Sequence, residues 1–195
     1  MFILRFLDLL NQQGIALDAP NRNYKDANHK PELVYALTPY RAMNGFRPIH
    51  DILKLFHRVA IKALEKDVSA LELQPNQQGL KTFFSIIMGL TGEKKQAVIA
   101  QLMQAVAMPH HLVDDEATRI AFATIAEFSQ QYPDDIGLLA PLMLNLVLLQ
   151  PGEAMFLHAE TPHAYIQGTA LEIMANSDNV LRAGLTPKYI DVDEL

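Results

Sequence analysis

The chain has 195 residues, 50% of them hydrophobic, and a formal net charge of −6. That suffices for one domain or two small ones, and it argues against a general nucleic-acid-binding surface. The absence of cysteine excludes disulfides, thiolate nucleophiles and cysteine-ligated zinc, and it fits a reducing, cytoplasmic setting.

The opening "MFILRFLDLL" has the apolar look of a secretion signal, but Arg5 and Asp8 interrupt it and no small-residue cleavage site follows. It reads as an amphipathic or buried segment. The next stretch, "NRNYKDANHKPELVYALTPYRAMNGFRP", is dense in turn formers around a strand-like run, Leu33 to Leu37. From Ile49 to about Tyr132 the period changes. Ile49, Ile52, Phe56, Val59, Ala60 and Leu64 recur at helical spacing, as do Leu80, Phe83, Phe84, Ile87 and Leu90. Thr91 before "GEKKQAVIAQLMQAV" and Asp114 before "DEATRIAFATIAEF" are the expected N-caps. The longest apolar run, Leu138 to Leu149, is broken by Pro141 and Asn145 and is too short to cross a bilayer, which takes about 20 residues.

Beyond Leu142 short apolar runs separated by Pro-Gly, Thr-Pro and Gly restore the rhythm of strands. The β–α–β order predicts an α+β protein. Strands are expected from about Leu33 to Phe46 and from Met143 to Leu185 in one partial barrel, with helices between about Ile49 and Gln131. The expected division is residues 1–48 and 136–195 as two parts of one β-domain, with 49–135 as an inserted helical domain.

Within "HAYIQGTALEIMA", the pair Gly168-Thr169 suits a two-residue type II′ turn. A hairpin built on it pairs Tyr165 with Glu172 and His163 with Met174. It sets His163, Tyr165 and Glu172 on one face and Ala164, Ile166, Leu171 and Ile173 on the other. The polar face is then either a solvated exterior or the wall of a site.

Two segments carry a resemblance. "PGEAMFLHAETPHAY", continuing as "HAYIQGTALEIMANSDNVLRAGLTPK", and the earlier "YKDANHKPE" closely resemble the two signature segments of the type I mannose-6-phosphate isomerases, zinc enzymes of the cupin superfamily. The resemblance runs from about Gly14 to Leu195. It implies a cupin-like β-barrel (jelly-roll) portion with an inserted helical domain, and zinc-dependent interconversion of mannose 6-phosphate and fructose 6-phosphate. It implies zinc ligands at Glu32 and His163, and contacts to substrate and phosphate at Lys30, Arg182 and Lys188. Glu172, Asp178 and His29 fall where the family has polar groups near the reacting carbons, considered for proton transfer or for orienting other groups.

The chemistry is coherent. Moving a proton between C1 and C2 of a sugar through an enediol(ate) uses a cation to polarise oxygen, a base to carry the proton, and cationic side chains to hold the phosphate. Alternatives remain at single residues. Glu32 could cap a strand end. "SDN" at Ser177 to Asn179 is a good turn in its own right, so Asp178 could orient Arg182, and Arg182 could be tied up in an ion pair with Asp178 or Glu172. His50, His57, His110, His111 and His158 have no motif around them.

The family's remaining zinc ligands, a Gln and a His, come from an upstream Q-x-H strand, and no Q-x-H occurs in this sequence. The expectation is a central portion of the family's chain, a truncated form short of metal ligands. The expected partner is a small-molecule sugar phosphate, with no nucleic acid and no membrane. The alternative function is a non-catalytic metal- or sugar-phosphate-binding cupin remnant.

Overall fold

The computed structural model describes residues 14–19, 21–107 and 115–185. The opening apolar segment, Asp114, His110, His111 and Lys188 lie outside the described residues. The chain divides into two compact units. One holds the described residues up to Gly45 together with Val147–Arg182, and the other holds Phe46–Leu146 with Ala183–Leu185.

β1 (Glu32–Ala36) and β2 (Tyr40–Phe46) precede the helices, and β3 (Leu144–Leu149), β4 (Ala154–Leu157), β5 (His163–Gln167) and β6 (Ala170–Met174) follow them; all but Phe46 and Leu144–Leu146 belong to the first unit. They form two three-stranded sheets, ordered β4-β1-β6 and β3-β2-β5. The two-residue period of β1 buries Glu32, Val34 and Ala36 while Tyr35 stays exposed. Buried Val34, Ala36, Met155 and Leu157 from the first sheet pack with Tyr40, Ala42 and Leu149 from the second. The sheets therefore close on a shared apolar centre, as in a jelly roll.

The expected hairpin does not form. β5 pairs antiparallel with β2, with Asn44 opposite His163 and Ala42 opposite Tyr165. β6 pairs antiparallel with β1, with Val34 opposite Glu172. His163 to Met174 is one strand bent at Gly168, running alongside β1 and β2, which bend at the same place. The two bends hold each other: Leu37 N–H donates to Thr169 O at 2.9 Å, and Thr169 N–H donates to Thr38 Oγ1 at 2.9 Å. Gly168 has φ +116°, and a Cβ there would lie 2.6 Å from Pro39 O, so this bend needs glycine. Strand pairing was a choice between partners that local turn chemistry could not make.

The expected strand structure up to Leu185 is also corrected. No strand runs beyond Met174 among the described residues. Ser177 and Asn179 bond the neighbouring backbone through their side chains, which competes with ladder formation.

The second unit is helical: α1 (Ile49–Val59), α2 (Glu65–Leu73), α3 (Gln77–Met88), α4 (Gly92–Val106), α5 (Glu116–Ser129) and a single turn, α6 (Ala140–Met143). Their apolar stripes meet in one core that includes Ile52, Phe56, Phe83, Ile87, Leu102 and Phe122. Phe56 and Phe83 meet edge to face with centroids 5.0 Å apart. Thr91 is the N-cap of α4, but its side chain makes no capping bond. The cap of α5 is Asp115, whose Oδ2 accepts from Thr118 N–H at 3.2 Å and from Thr118 Oγ1 at 2.5 Å.

Candidate active site

The site lies within the β unit, on the facing sides of its two sheets. Glu32 is the first residue of β1 and points with Val34 toward the apolar centre, where its residue exposure falls to 8%. A carboxylate placed there needs a partner. His163, the first residue of β5, offers one: its Nε2 lies 3.2 Å from Glu32 Oε2. The other ring nitrogen, Nδ1, lies 2.8 Å from Thr161 O. A carbonyl can only accept, so Nδ1 carries a hydrogen, and Nε2 is the ring nitrogen turned toward the Glu32 oxygen. A contact of this length is that of an ordinary hydrogen bond or ion pair, and the same two atoms are the ones a shared cation would use. Two donors on one tetrahedral cation with bonds near 2.1 Å would sit about 3.4 Å apart. The pair therefore fits a small divalent metal, with the Thr161 carbonyl fixing ring orientation as outer partners of metal-bound histidines do. Among the described residues no third histidine, aspartate or glutamate joins them in a metal-holding group.

Tyr165, two residues along β5, contributes to the same face. Its hydroxyl lies 2.5 Å from Glu172 Oε1 and 3.1 Å from Glu32 Oε2. It has a single proton to give, and the shorter distance assigns it to Glu172. Burial, then the hydrogen bond to Glu172 and the charges of Glu172 and Glu32, push the phenol far above its ordinary range. The Tyr165 ring sits beside the His163 ring at 5.5 Å and the Tyr40 ring at 5.8 Å. Lys30 Nζ stands 3.6 Å from the other carboxylate oxygen, Glu32 Oε1.

The segment before β1 is held by side chains. Asp26 Oδ1 accepts from Asn28 N–H at 2.9 Å and Ser177 Oγ at 2.9 Å. Its Oδ2 accepts from Asp178 N–H at 2.8 Å. Asn179 Oδ1 accepts from Lys25 N–H at 2.7 Å, and its Nδ2 donates to Asp26 O at 2.9 Å and Asn28 O at 3.0 Å. Burial would raise the Asp26 carboxyl, but the bonds from Asp178, Asn28 and Ser177 and the Lys30 charge together hold it below its ordinary value.

Glu32, His163, Glu172 and Lys30 thus converge. Asp178 and His29 are exposed on the two segments that Asp26 joins, and Arg182 is half-buried. Among the described residues neither Asp178 nor Glu172 forms an ion pair with Arg182; Glu172 is engaged by Tyr165 instead. Sequence reasoning placed Tyr165 beside His163 and Glu172 through the wrong pairing and gave it no role. It overlooked Asp26 altogether. The signal for Asp26 was an Asp-x-Asn facing an Asn-Ser-Asp-Asn, polar turn formers too common to single out.

A family profile for "Phosphomannose isomerase type I, catalytic domain" matches residues 11–49, and one for "Phosphomannose isomerase type I, helical insertion domain" matches residues 55–144. The mannose-6-phosphate isomerase of Salmonella typhimurium is 51% identical over 185 residues, which is 95% of this chain. This chain belongs to the type I phosphomannose isomerase family. The Bos taurus mannose-6-phosphate isomerase is 41% identical over 94% of the chain. Among solved structures, a lysine-to-alanine variant of the Salmonella typhimurium phosphomannose isomerase superposes with a TM-score of 0.85 over 96% of this chain. A structure of the same organism's mannose 6-phosphate isomerase bound to substrate (F6P) and zinc superposes with a TM-score of 0.82, at 51% identity. The chain spans 45% of the length of each of these relatives. These phosphomannose isomerase neighbours carry the same α+β architecture, a cupin-type barrel portion with a helical insertion.

Proposed function

We propose that this chain carries part of the catalytic machinery of a zinc-dependent isomerase that interconverts mannose 6-phosphate and fructose 6-phosphate. The observation that carries the reading is the Glu32–His163 pair. A buried carboxylate faces an imidazole nitrogen at 3.2 Å, with the opposite ring nitrogen anchored on a carbonyl. The relative bound to zinc and substrate, 51% identical to this chain, supports it.

In this reading Glu32 Oε2 and His163 Nε2 are two of the protein donors to zinc. Zinc, when bound, supplies a Lewis acid that withdraws electron density from sugar oxygen. Tyr165 keeps Glu172 oriented through its hydroxyl and, being held neutral, adds no charge beside the donor pair. The isomerisation moves one proton between C1 and C2, and Asp178 and His29, exposed on adjacent segments, are the groups open to carry it. Lys30, Arg182 and Lys188 hold the phosphate and oxygens of the sugar by charge-assisted hydrogen bonds. The helical region, residues 49–135, is an insertion between two parts of one β-domain, 1–48 and 136–195, as the helical-insertion match at residues 55–144 supports. The cysteine-free composition suits a cytoplasmic enzyme of carbohydrate metabolism on the way to GDP-mannose.

The test titrates zinc into the polypeptide of residues 1–195 by calorimetry. A catalytic zinc usually has about three protein ligands, so two donors predict weak binding, lost by at least tenfold in both Glu32→Gln and His163→Ala. Coupled assay of fructose 6-phosphate formation should give turnover far below that of the full-length relatives. Zinc binding indifferent to both substitutions would overturn the donor assignment. Turnover equal to the relatives' would show that another group completes the metal shell.

A further inference from the structure

We propose that Asp26 is a positioning residue that locks the segment bearing His29 and Lys30 to the loop bearing Asp178 and Arg182. The inference rests on the isomerase reading above for what those side chains do, and on the geometry alone for the lock.

Its carboxylate receives four donors. Asn28 N–H comes from its own segment. Ser177 Oγ at 2.9 Å, Asp178 N–H at 2.8 Å and Asn179 Nδ2 at 3.3 Å come from a loop some 150 residues later. Around it, Asn28 Nδ2 donates to Asn176 O at 2.9 Å, Ala175 N–H donates to Pro31 O at 3.1 Å, and Val180 N–H donates to Asn23 O at 3.1 Å. Neither segment is a strand: two backbone bonds flank the junction, and between them side chains join the segments, Asp26 and Asn179 making most of the bonds. An ionised acceptor strengthens each bond to the Asp26 carboxylate.

The lock acts on one part of the site and spares another. Glu32 and His163 sit in β1 and β5 and are placed by strand pairing. Lys30, His29 and Asp178 sit on the joined segments. Loosening Asp26 should therefore leave the metal donors in place while releasing the groups that hold the sugar phosphate.

Asp26→Asn preserves shape but removes the charge and turns an amide NH₂ toward one of the incoming donors. Ser177→Ala removes one donor and is the milder variant should the first fail to fold. Amide hydrogen exchange on residues 1–195 should rise at least tenfold across Lys25–Lys30 and Asn176–Arg182 in Asp26→Asn. In Ser177→Ala it should rise about threefold at the same amides, with β1, β2, β5 and β6 within twofold of wild type in both variants. Zinc affinity should stay within threefold, while fructose 6-phosphate binding, followed by NMR line broadening, should weaken at least tenfold. Unchanged exchange in the two segments overturns the proposal. So does a uniform rise across the strands, which marks a role in stability only, and so does unaltered fructose 6-phosphate binding despite local loosening. A wild-type chain that takes up no fructose 6-phosphate counts against the isomerase reading, and exchange alone then decides the lock.

Discussion

The hydroxyl of Tyr165 gives the sharpest handle on the polar cluster of the β unit. It reaches Glu172 Oε1 at 2.5 Å from the opposite sheet. Tyr165→Phe removes this bond and keeps the ring contacts with His163 and Tyr40, 5.5 and 5.8 Å between centroids. A hydrogen bond to an ionised group contributes about 1.5–3 kcal/mol net. Tyr165 is 39% exposed, which scales the expectation down to about 1–2 kcal/mol. The assay is a double-mutant cycle with Glu172→Ala, using urea unfolding to obtain each stability. The coupling should be about 1–2 kcal/mol; additivity within about 0.4 kcal/mol would show that the two side chains do not interact in solution. A spectroscopic arm uses the raised phenol. The neutral form is the donor and its folded value lies above the unfolded one. The stabilisation is therefore complete below about pH 10, the ordinary tyrosine value, and is lost as pH rises through the folded value. The wild-type minus Tyr165→Phe phenolate titration should fall well alkaline of the other tyrosines, and coincidence with them would remove the basis for the bond.

Arg182→Ala, introduced at the matching position of a full-length relative, should lower kcat/KM more than tenfold, about 1.4 kcal/mol in transition-state stabilisation; unchanged kinetics would make Arg182 structural. Gly168→Ala places a Cβ 2.6 Å from Pro39 O at φ +116° and should cost roughly 2–4 kcal/mol from backbone strain and overpacking, read as a lowered Tm. An unchanged Tm would contradict the paired bends. Asp115→Ala should cost about 1 kcal/mol by uncapping α5. The Thr118 hydroxyl, then its N–H and Lys54, hold the Asp115 carboxyl below its ordinary value against the opposing effect of burial. The difference between wild type and variant should thus be complete above about pH 4 and vanish as pH falls through the lower folded value, which an acid titration of stability would reveal.

Much of this protein was legible along the chain because it is local. A helical period at Ile52, Phe56, Phe83 and Ile87 places each of those residues in the core, since any helix with that stripe must bury it. The two motif segments carried the family and named the residues that converge, Glu32, His163, Glu172 and Lys30. What the chain could not show was which strand pairs with which. The Gly168-Thr169 pair satisfies the rules of a tight hairpin, yet the strand runs on through the bend because β1 and β2 offer longer partners on both sides of it. That same pairing sets Glu172 within reach of Tyr165 and leaves Leu171 and Ile173 at 56% and 69% exposure, where hydrophobic patterning alone would bury them. The anchored ring of His163, the Tyr165 hydroxyl between Glu172 and Glu32, and the four donors on Asp26 depend on groups between 2 and 153 positions apart in sequence. Residue type and spacing determined which chemistry this chain could carry. The tertiary structure decided which lone pairs and protons face one another, because hydrogen bonds and metal-donor geometry depend on distances of a few ångströms that only long-range strand pairing sets.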